Sequence, residues 1–267
     1  MQFRVLLGDI TTWQADAIVN SASSSLLGMS GAVDNAIHRA GGISLTAACR
    51  SLQGCHTGEA KMTKGYKLPA KFVIHAVGPI WVGGKRNEED ELISCYRKSI
   101  HIAEEANLHY IAFTSISTED KRYPRQRAAS AVIPVIMTDG TPLTRIDLVC
   151  TDQAMQDTYT RAAVMFWLQH LNEAHKDELV PMVEEAMISL VMLRIESDKP
   201  DPIALAERVR NMKRVLRPFL DMSQPRSIMD IEKAADMVIQ TYAETGSQIK
   251  EGNGLADILP NYCQEEE

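Results

Sequence analysis

Short apolar runs alternate with amphipathic stretches over the first two-thirds of the chain. Phe3–Leu7, Ala17–Val19, Lys71–Val77, Tyr110–Phe113 and Ile146–Cys150 are each β-branched or aromatic and bounded by turn residues. That pattern predicts strands. From Phe72 to Val77 the apolar run is nearly continuous, as in a strand covered on both faces. Between the runs, apolar residues recur at three and four, which predicts helices over Ala32–Ala40, Ser44–Leu52, Glu88–Ala106, Pro124–Met137 and Asp152–Leu168. The alternation predicts an α/β domain of three layers over residues 1–170. Beyond about residue 172 the strand pattern stops. Three helical stripes follow: Leu179, Val183, Met187, Leu190; then Leu205, Val209, Met212, Leu216, Phe219; then Ile228, Ile231, Ala235, Val238, Tyr242. They predict a small helical bundle over 171–245, and residues 246–267 read as an acidic tail.

The chain has 267 residues, 45% hydrophobic and 24% charged, enough to bury a core without staples. Its five cysteines (Cys49, Cys55, Cys95, Cys150, Cys263) form no CxxC pair. That argues against a disulfide scaffold and a zinc ribbon and suits a reducing, cytoplasmic setting. No run approaches the length of a membrane span, and the first residues turn polar without a signal-peptide pattern. Of the net charge of −7, residues 1–171 carry +1 and residues 172–267 carry −8. Such a balance disfavours sequence-independent nucleic-acid binding. The acidic part reads as a solvated helical surface or a face for a protein partner.

Two loops carry the candidate chemistry. One runs from Asn20 to Gly31, the other from Ser115 to Pro124. Each leads from the C-terminal end of a predicted strand to the start of a predicted helix, where ligands bind open α/β sheets and free N–H groups favour an anion. Two such loops suit two linked phosphates. No Walker-type lysine follows, which argues against a nucleoside triphosphatase. No Cys/His cluster has metal-ligand spacing, so no metal and no cofactor are expected.

The words around these loops resemble the macrodomain family, which binds ADP-ribose. The matching residues are Gly8-Asp9-Ile10-Thr11; Asp16-Ala17-Ile18-Val19-Asn20; Val33-Asp34 with Ala36-Ile37-His38-Arg39-Ala40-Gly41; and Gly54-Cys55 followed by Thr57-Gly58-Glu59-Ala60-Lys61. They continue in Gly65-Tyr66, Leu68-Pro69-Ala70-Lys71, Val73-Ile74-His75, Val77-Gly78-Pro79 with Trp81, and Ile116-Ser117-Thr118, in family order over about residues 1–168. The resemblance implies a three-layer α/β/α macrodomain with a mixed central sheet. It is nearest to the branch that hydrolyses ADP-ribosyl and O-acetyl-ADP-ribose esters, and it does not reach residues 172–267.

The resemblance assigns roles. Asp9 accepts a hydrogen bond from the adenine amino group, with the Ile10 backbone beside it. Gly28, Ser30, Gly31 and Val33 wrap the diphosphate and distal ribose, and Ser117, Thr118, Arg122 and Tyr123 face them. Asp34 positions or activates water near that ribose, with Asn20 and Ser23 holding the sugar; the alternative is a first-turn carboxylate complementing the helix dipole. His38 and His75 read as packed structural histidines.

Three departures bear on catalysis. The glycine-rich stretch Gly28-Met29-Ser30-Gly31-Ala32 before Val33-Asp34 is one residue longer than the commonest form, which either moves Asp34 or bulges the loop. The usual Asn-Ala-Ala-Asn is here Asn20-Ser21-Ala22-Ser23, so a hydroxyl stands where the hydrolases carry an amide. The usual Gly-Val-Tyr-Gly is Glu119-Asp120-Lys121-Arg122. Keeping the glycine conformations there would cost roughly 1–2 kcal/mol each, and a carboxylate beside a phosphate repels it by roughly 1–4 kcal/mol. Lys121 and Arg122 either offset this or pair with the acids away from the site; alternatively the segment is a solvated turn. Three functions stay open: an ADP-ribosyl ester hydrolase, a non-catalytic ADP-ribose reader, and a scaffold acting through its C-terminal part.

Overall fold

The computed structural model describes residues 2–139 and 143–173. The strands are β1 (Gln2–Leu7), β2 (Ala17–Ser21), β3 (Ala60–Lys64), β4 (Phe72–Ala76), β5 (Tyr110–Thr114) and β6 (Arg145–Cys150). They form one six-stranded sheet in the order β1-β6-β5-β2-β4-β3. All pairings are parallel except that of β3 with β4, so the sheet is mixed. The helices are α1 (Ala32–Ser51), α2 (Glu88–Glu105), α3 (Arg125–Asp139) and α4 (Gln153–Glu173).

Side chains alternate across a strand, and the layers follow. Ile18, Val73 and Ala112 pack with Ile37, Leu45 and Cys49 of α1. Phe113, the next residue along β5, stacks on Tyr96 of α2 at 4.8 Å on the other face. Helices therefore cover both faces: this is the expected three-layer α/β/α fold. The starts of β1, β5 and β6 are tied by a buried ion cluster. Asp147 accepts from Arg4 Nε at 2.7 Å and Nη2 at 2.6 Å, from Arg145 Nη2 at 2.9 Å, and from the Tyr110 hydroxyl at 2.6 Å.

Three differences from the sequence reading have physical causes. The two helices expected over Ala32–Ala40 and Ser44–Leu52 are one helical segment bent at Gly42, whose φ of 76° suits glycine. Strand β3 falls outside the sequence reading: Ala60–Lys64 has no apolar run, and of its five residues Thr63 alone is buried. Its Lys61 ammonium donates to the carbonyls of Leu52 at 2.9 Å and Gly54 at 2.7 Å, closing the C-terminal end of α1. Helix α4 starts at Gln153 because Asp152 caps it, accepting from Met155 N at 2.8 Å.

The chain divides after Ala162 into two units, and the site described below lies wholly in the first. The helical bundle expected over 171–245 and the acidic tail over 246–267 fall outside the described residues from residue 174 onward. Among the described residues no helix is long and apolar enough to cross a membrane.

Candidate functional site

Strands β2 and β5 are parallel neighbours, with Ala17 opposite Ile111 and Val19 opposite Phe113. The loops that leave their C-terminal ends therefore emerge side by side. Between them lies a small cleft. Ser21, Val33 and Asp34 form one wall and Glu119, Asp120 and Lys121 the other; Val149, Thr151 and Met155 close the side toward β6 and α4. Of the residues singled out from the sequence, Asp34 and Val33 line this cleft directly.

Asp34 lies in the first turn of α1, whose N-cap, Gly31, has no capping side chain. The carboxylate ties back to the residue before the cap: Ser30 N donates to Oδ2 at 2.8 Å. Asn20 Nδ2, at the end of β2, donates to Oδ1 at 2.7 Å. The second hydrogen of that amide points at His75 Nδ1, 3.4 Å away. Nδ1 is then the acceptor, and the proton of the neutral ring sits on Nε2, 3.0 Å from Thr63 Oγ1. Burial, with His38 adding to it, lowers His75 to a pKa of about 3, so it stays neutral. One buried chain thus runs Asp34–Asn20–His75–Thr63. The Asn20 amide spends both hydrogens inside it, and its Oδ1 is buried without a partner.

His38 stands one helical turn beyond Asp34, with Nε2 3.7 Å from Asp34 Oδ1 and Nδ1 3.2 Å from Thr46 Oγ1. Burial lowers its pKa while Asp34 pulls the other way. A Cβ on Gly28 would lie 2.7 Å from His38 Cγ, so Gly28 is what lets the loop close over this imidazole.

The donors of His38, Cys49 and His75 lie within 4.8 Å of one another, although no sequence spacing joins them. They do not fit an ion as arranged. His75 carries its proton on Nε2 and gives its Nδ1 lone pair to Asn20, and burial pushes the Cys49 thiol up to about 11. This is a hydrogen-bonded core cluster, not a coordination site.

In the second loop Glu119, Asp120 and Lys121 line the cleft, while Asp120 and Arg122 stay exposed to solvent. Glu119 Oε1 accepts from Thr151 Oγ1 at 2.7 Å. The Lys121 ammonium turns inward, donating to the carbonyls of Ala22 at 2.8 Å and Gly78 at 2.9 Å, while its own carbonyl accepts from Trp81 N at 2.9 Å. It therefore joins three loops and pairs with neither acid of its segment. Arg122 is exposed and keeps a φ of 56°, so one glycine-like conformation persists without glycine.

The other expected contacts are distributed around this cleft. Asp9 is exposed at the end of β1 and accepts from Thr11 N at 2.9 Å and Thr11 Oγ1 at 2.8 Å, with Ile10 buried behind it. Ser23 shares a 3.0 Å hydrogen bond with Ser25. Ser117 N donates to Ser21 Oγ at 3.2 Å, joining the two loops, and Thr118 turns its hydroxyl to Ser115 Oγ at 2.7 Å. Tyr123 is buried and packs on Trp81 at 4.7 Å. The residues that sequence reasoning missed are Thr63, Cys49 and the carbonyls that Lys121 binds. They come from separate elements, and no local spacing signals them.

The model of the family described as Macro domain matches residues 19–132. A macro domain-containing protein of Chlorobaculum tepidum is 49% identical over 157 residues, 58% of this chain and 91% of that protein. An O-acetyl-ADP-ribose deacetylase of Klebsiella pneumoniae is 44% identical over 168 residues, 60% of this chain and 95% of that protein. Among solved structures, the Trypanosoma brucei macrodomain in complex with ADP-ribose aligns with a TM-score of 0.54 at 36% identity, over 59% of this chain and 67% of that one.

Proposed function

The chain belongs to the macro domain family, and from that premise we propose that it binds ADP-ribose or an ADP-ribosyl derivative in the cleft between the β2–α1 and β5–α3 loops. One observation carries the reading: two neighbouring parallel strands deliver two loops to one cleft, and a helix N-terminus with a buried carboxylate stands in its wall. That arrangement suits a diphosphate with a sugar beside it. Asp9, at the end of the edge strand β1, takes the adenine amino group. Backbone N–H groups of Gly31 and Val33, with that of Thr118, face the phosphates. A relative of this chain carries ADP-ribose in its solved structure, which supports the reading.

A second reading, hydrolysis of ADP-ribosyl esters, is favoured by Asp34. Its two oxygens each hold one protein hydrogen bond, which fixes the carboxylate and leaves lone pairs for a water. Asp34 would orient that water toward the ester and take its proton. A 44% identical relative is an O-acetyl-ADP-ribose deacetylase. Asn20 acts in this scheme through Asp34 and is a positioning residue. Ser23, hydrogen-bonded to Ser25, would have to turn to hold the ribose. The organisation as a macrodomain over 1–170, a helical extension over 171–245 that meets a protein partner and a tail over 246–267, all in the cytoplasm, belongs to the same proposal. The test is incubation of the full chain with O-acetyl-ADP-ribose, following acetate release. Release supports a hydrolase; ADP-ribose binding without release supports a reader; absence of both supports a scaffold.

A further inference from the structure

The second loop does something to the anion position that its composition alone does not reveal. The N-terminus of α1 borders the cleft through Val33 and Asp34, and its N-cap, Gly31, has a φ of 112°. A Cβ built on Gly31 would overlap the carboxylate of Asp120. The acid of the opposite loop therefore lies in the space left by the missing side chain, against the end of the helix where free N–H groups and the dipole favour negative charge. Three carboxylates face one another here. Partial desolvation in the cleft, then Glu119, then Asp34 raise the carboxyl of Asp120 from its ordinary value, and Lys121 opposes them. Lys121 gives little relief, because its ammonium is bound to the carbonyls of Ala22 and Gly78.

We propose that Asp120 is an internal anion occupying the position at the N-terminus of α1 that a ligand phosphate would take, so that it sets the affinity of this cleft for phosphate-bearing ligands. The proposal rests on the nucleotide-binding reading above. Its consequences are specific. A diphosphate must displace the ionised carboxylate or meet it protonated. Removing the charge strengthens binding of ligands whose phosphates reach Gly31 and leaves adenosine unaffected. Because folding raises the carboxyl from its ordinary value, protonation begins at a higher pH than for a free carboxylate, and affinity for the diphosphate rises as pH falls.

The test is calorimetric titration of the full chain and its D120N and D120A variants with ADP-ribose, ADP and adenosine at pH 7.5 and 5.5. Asp120 is exposed, so both substitutions spare the core. The expected result is ADP-ribose and ADP binding about tenfold tighter in both variants at pH 7.5. The gap should narrow at pH 5.5 because the parent tightens, with adenosine unchanged. Equal ADP-ribose affinity in parent and variants overturns the proposal and leaves the binding function standing. Weaker binding in D120N also overturns it, by making the carboxylate a ligand contact. Absence of ADP-ribose binding in all three proteins overturns both.

Discussion

Asn20 and Asp34 meet in a buried 2.7 Å hydrogen bond that joins the end of β2 to the first turn of α1. The same amide faces His75, so the cleft acid is held by the core as well as by Ser30 of the loop that leads to it. Replacing Asn20 by Ala leaves Asp34 Oδ1 and His75 Nδ1 without their donor. We expect a loss of roughly 1–3 kcal/mol in urea-induced unfolding, the cost of orphaned buried polar groups. A variant within a few tenths of the parent would mean that Asp34 is held some other way.

Lys121→Met keeps most of the side-chain volume and removes the ammonium. Two charged hydrogen bonds to carbonyls of different loops disappear. The expected loss is about 1.5–3 kcal/mol, together with faster amide exchange at Trp81, whose N–H donates to the Lys121 carbonyl. Unchanged exchange there would show that the loops hold together without the tether.

His75 gives the fold a pH dependence of defined sign. Its pKa falls from 6.5 to about 3 on folding, so the unfolded chain binds a proton that the folded chain refuses. The contribution is fully present above pH 6.5 and is lost as pH falls from there toward about 3. The slope from this residue is at most about 1.4 kcal/mol per pH unit. In His75→Gln, measured by chemical denaturation across that window, this part of the slope should vanish; a parent-like slope would assign it to other groups.

Should ester hydrolysis be observed, Asp34→Asn should remove most of it. The neutral amide oxygen still accepts from Asn20 but cannot take a proton from water. ADP-ribose affinity should stay within about tenfold, roughly 1.4 kcal/mol. Turnover equal to that of the parent would move the base to another residue.

What the sequence made legible follows from how locally each feature is encoded. The five inner and N-terminal strands are marked by apolar runs that every register position needs. Strand β3 lacks one because it buries only Thr63, and Gly42 hides a bend inside a continuous helical pattern. In the site, Asp34 is visible because it falls in the Val33-Asp34 word that carries the family resemblance; its place in the helix's first turn reads equally as a carboxylate complementing the dipole. The reach of Lys121 to Ala22 spans 99 positions, and the contact of Asp120 with Gly31 joins two loops through the fold. Neither leaves a trace in spacing. The substituted segment 119–122 was legible as a departure, but its inward course was not, since charge alone predicts a solvated turn.

The central claim is that ADP-ribose occupies the cleft at the ends of β2 and β5. Amide chemical shifts of the isotope-labelled chain, followed through a titration with ADP-ribose, test it most directly. The account predicts saturable shifts at Asp9–Ile10, Ser30–Asp34 and Ser117–Asp120, and none around Arg4 and Asp147 at the opposite end of the strands. Shifts confined to that opposite end, or no saturable shift at millimolar ligand, would contradict it.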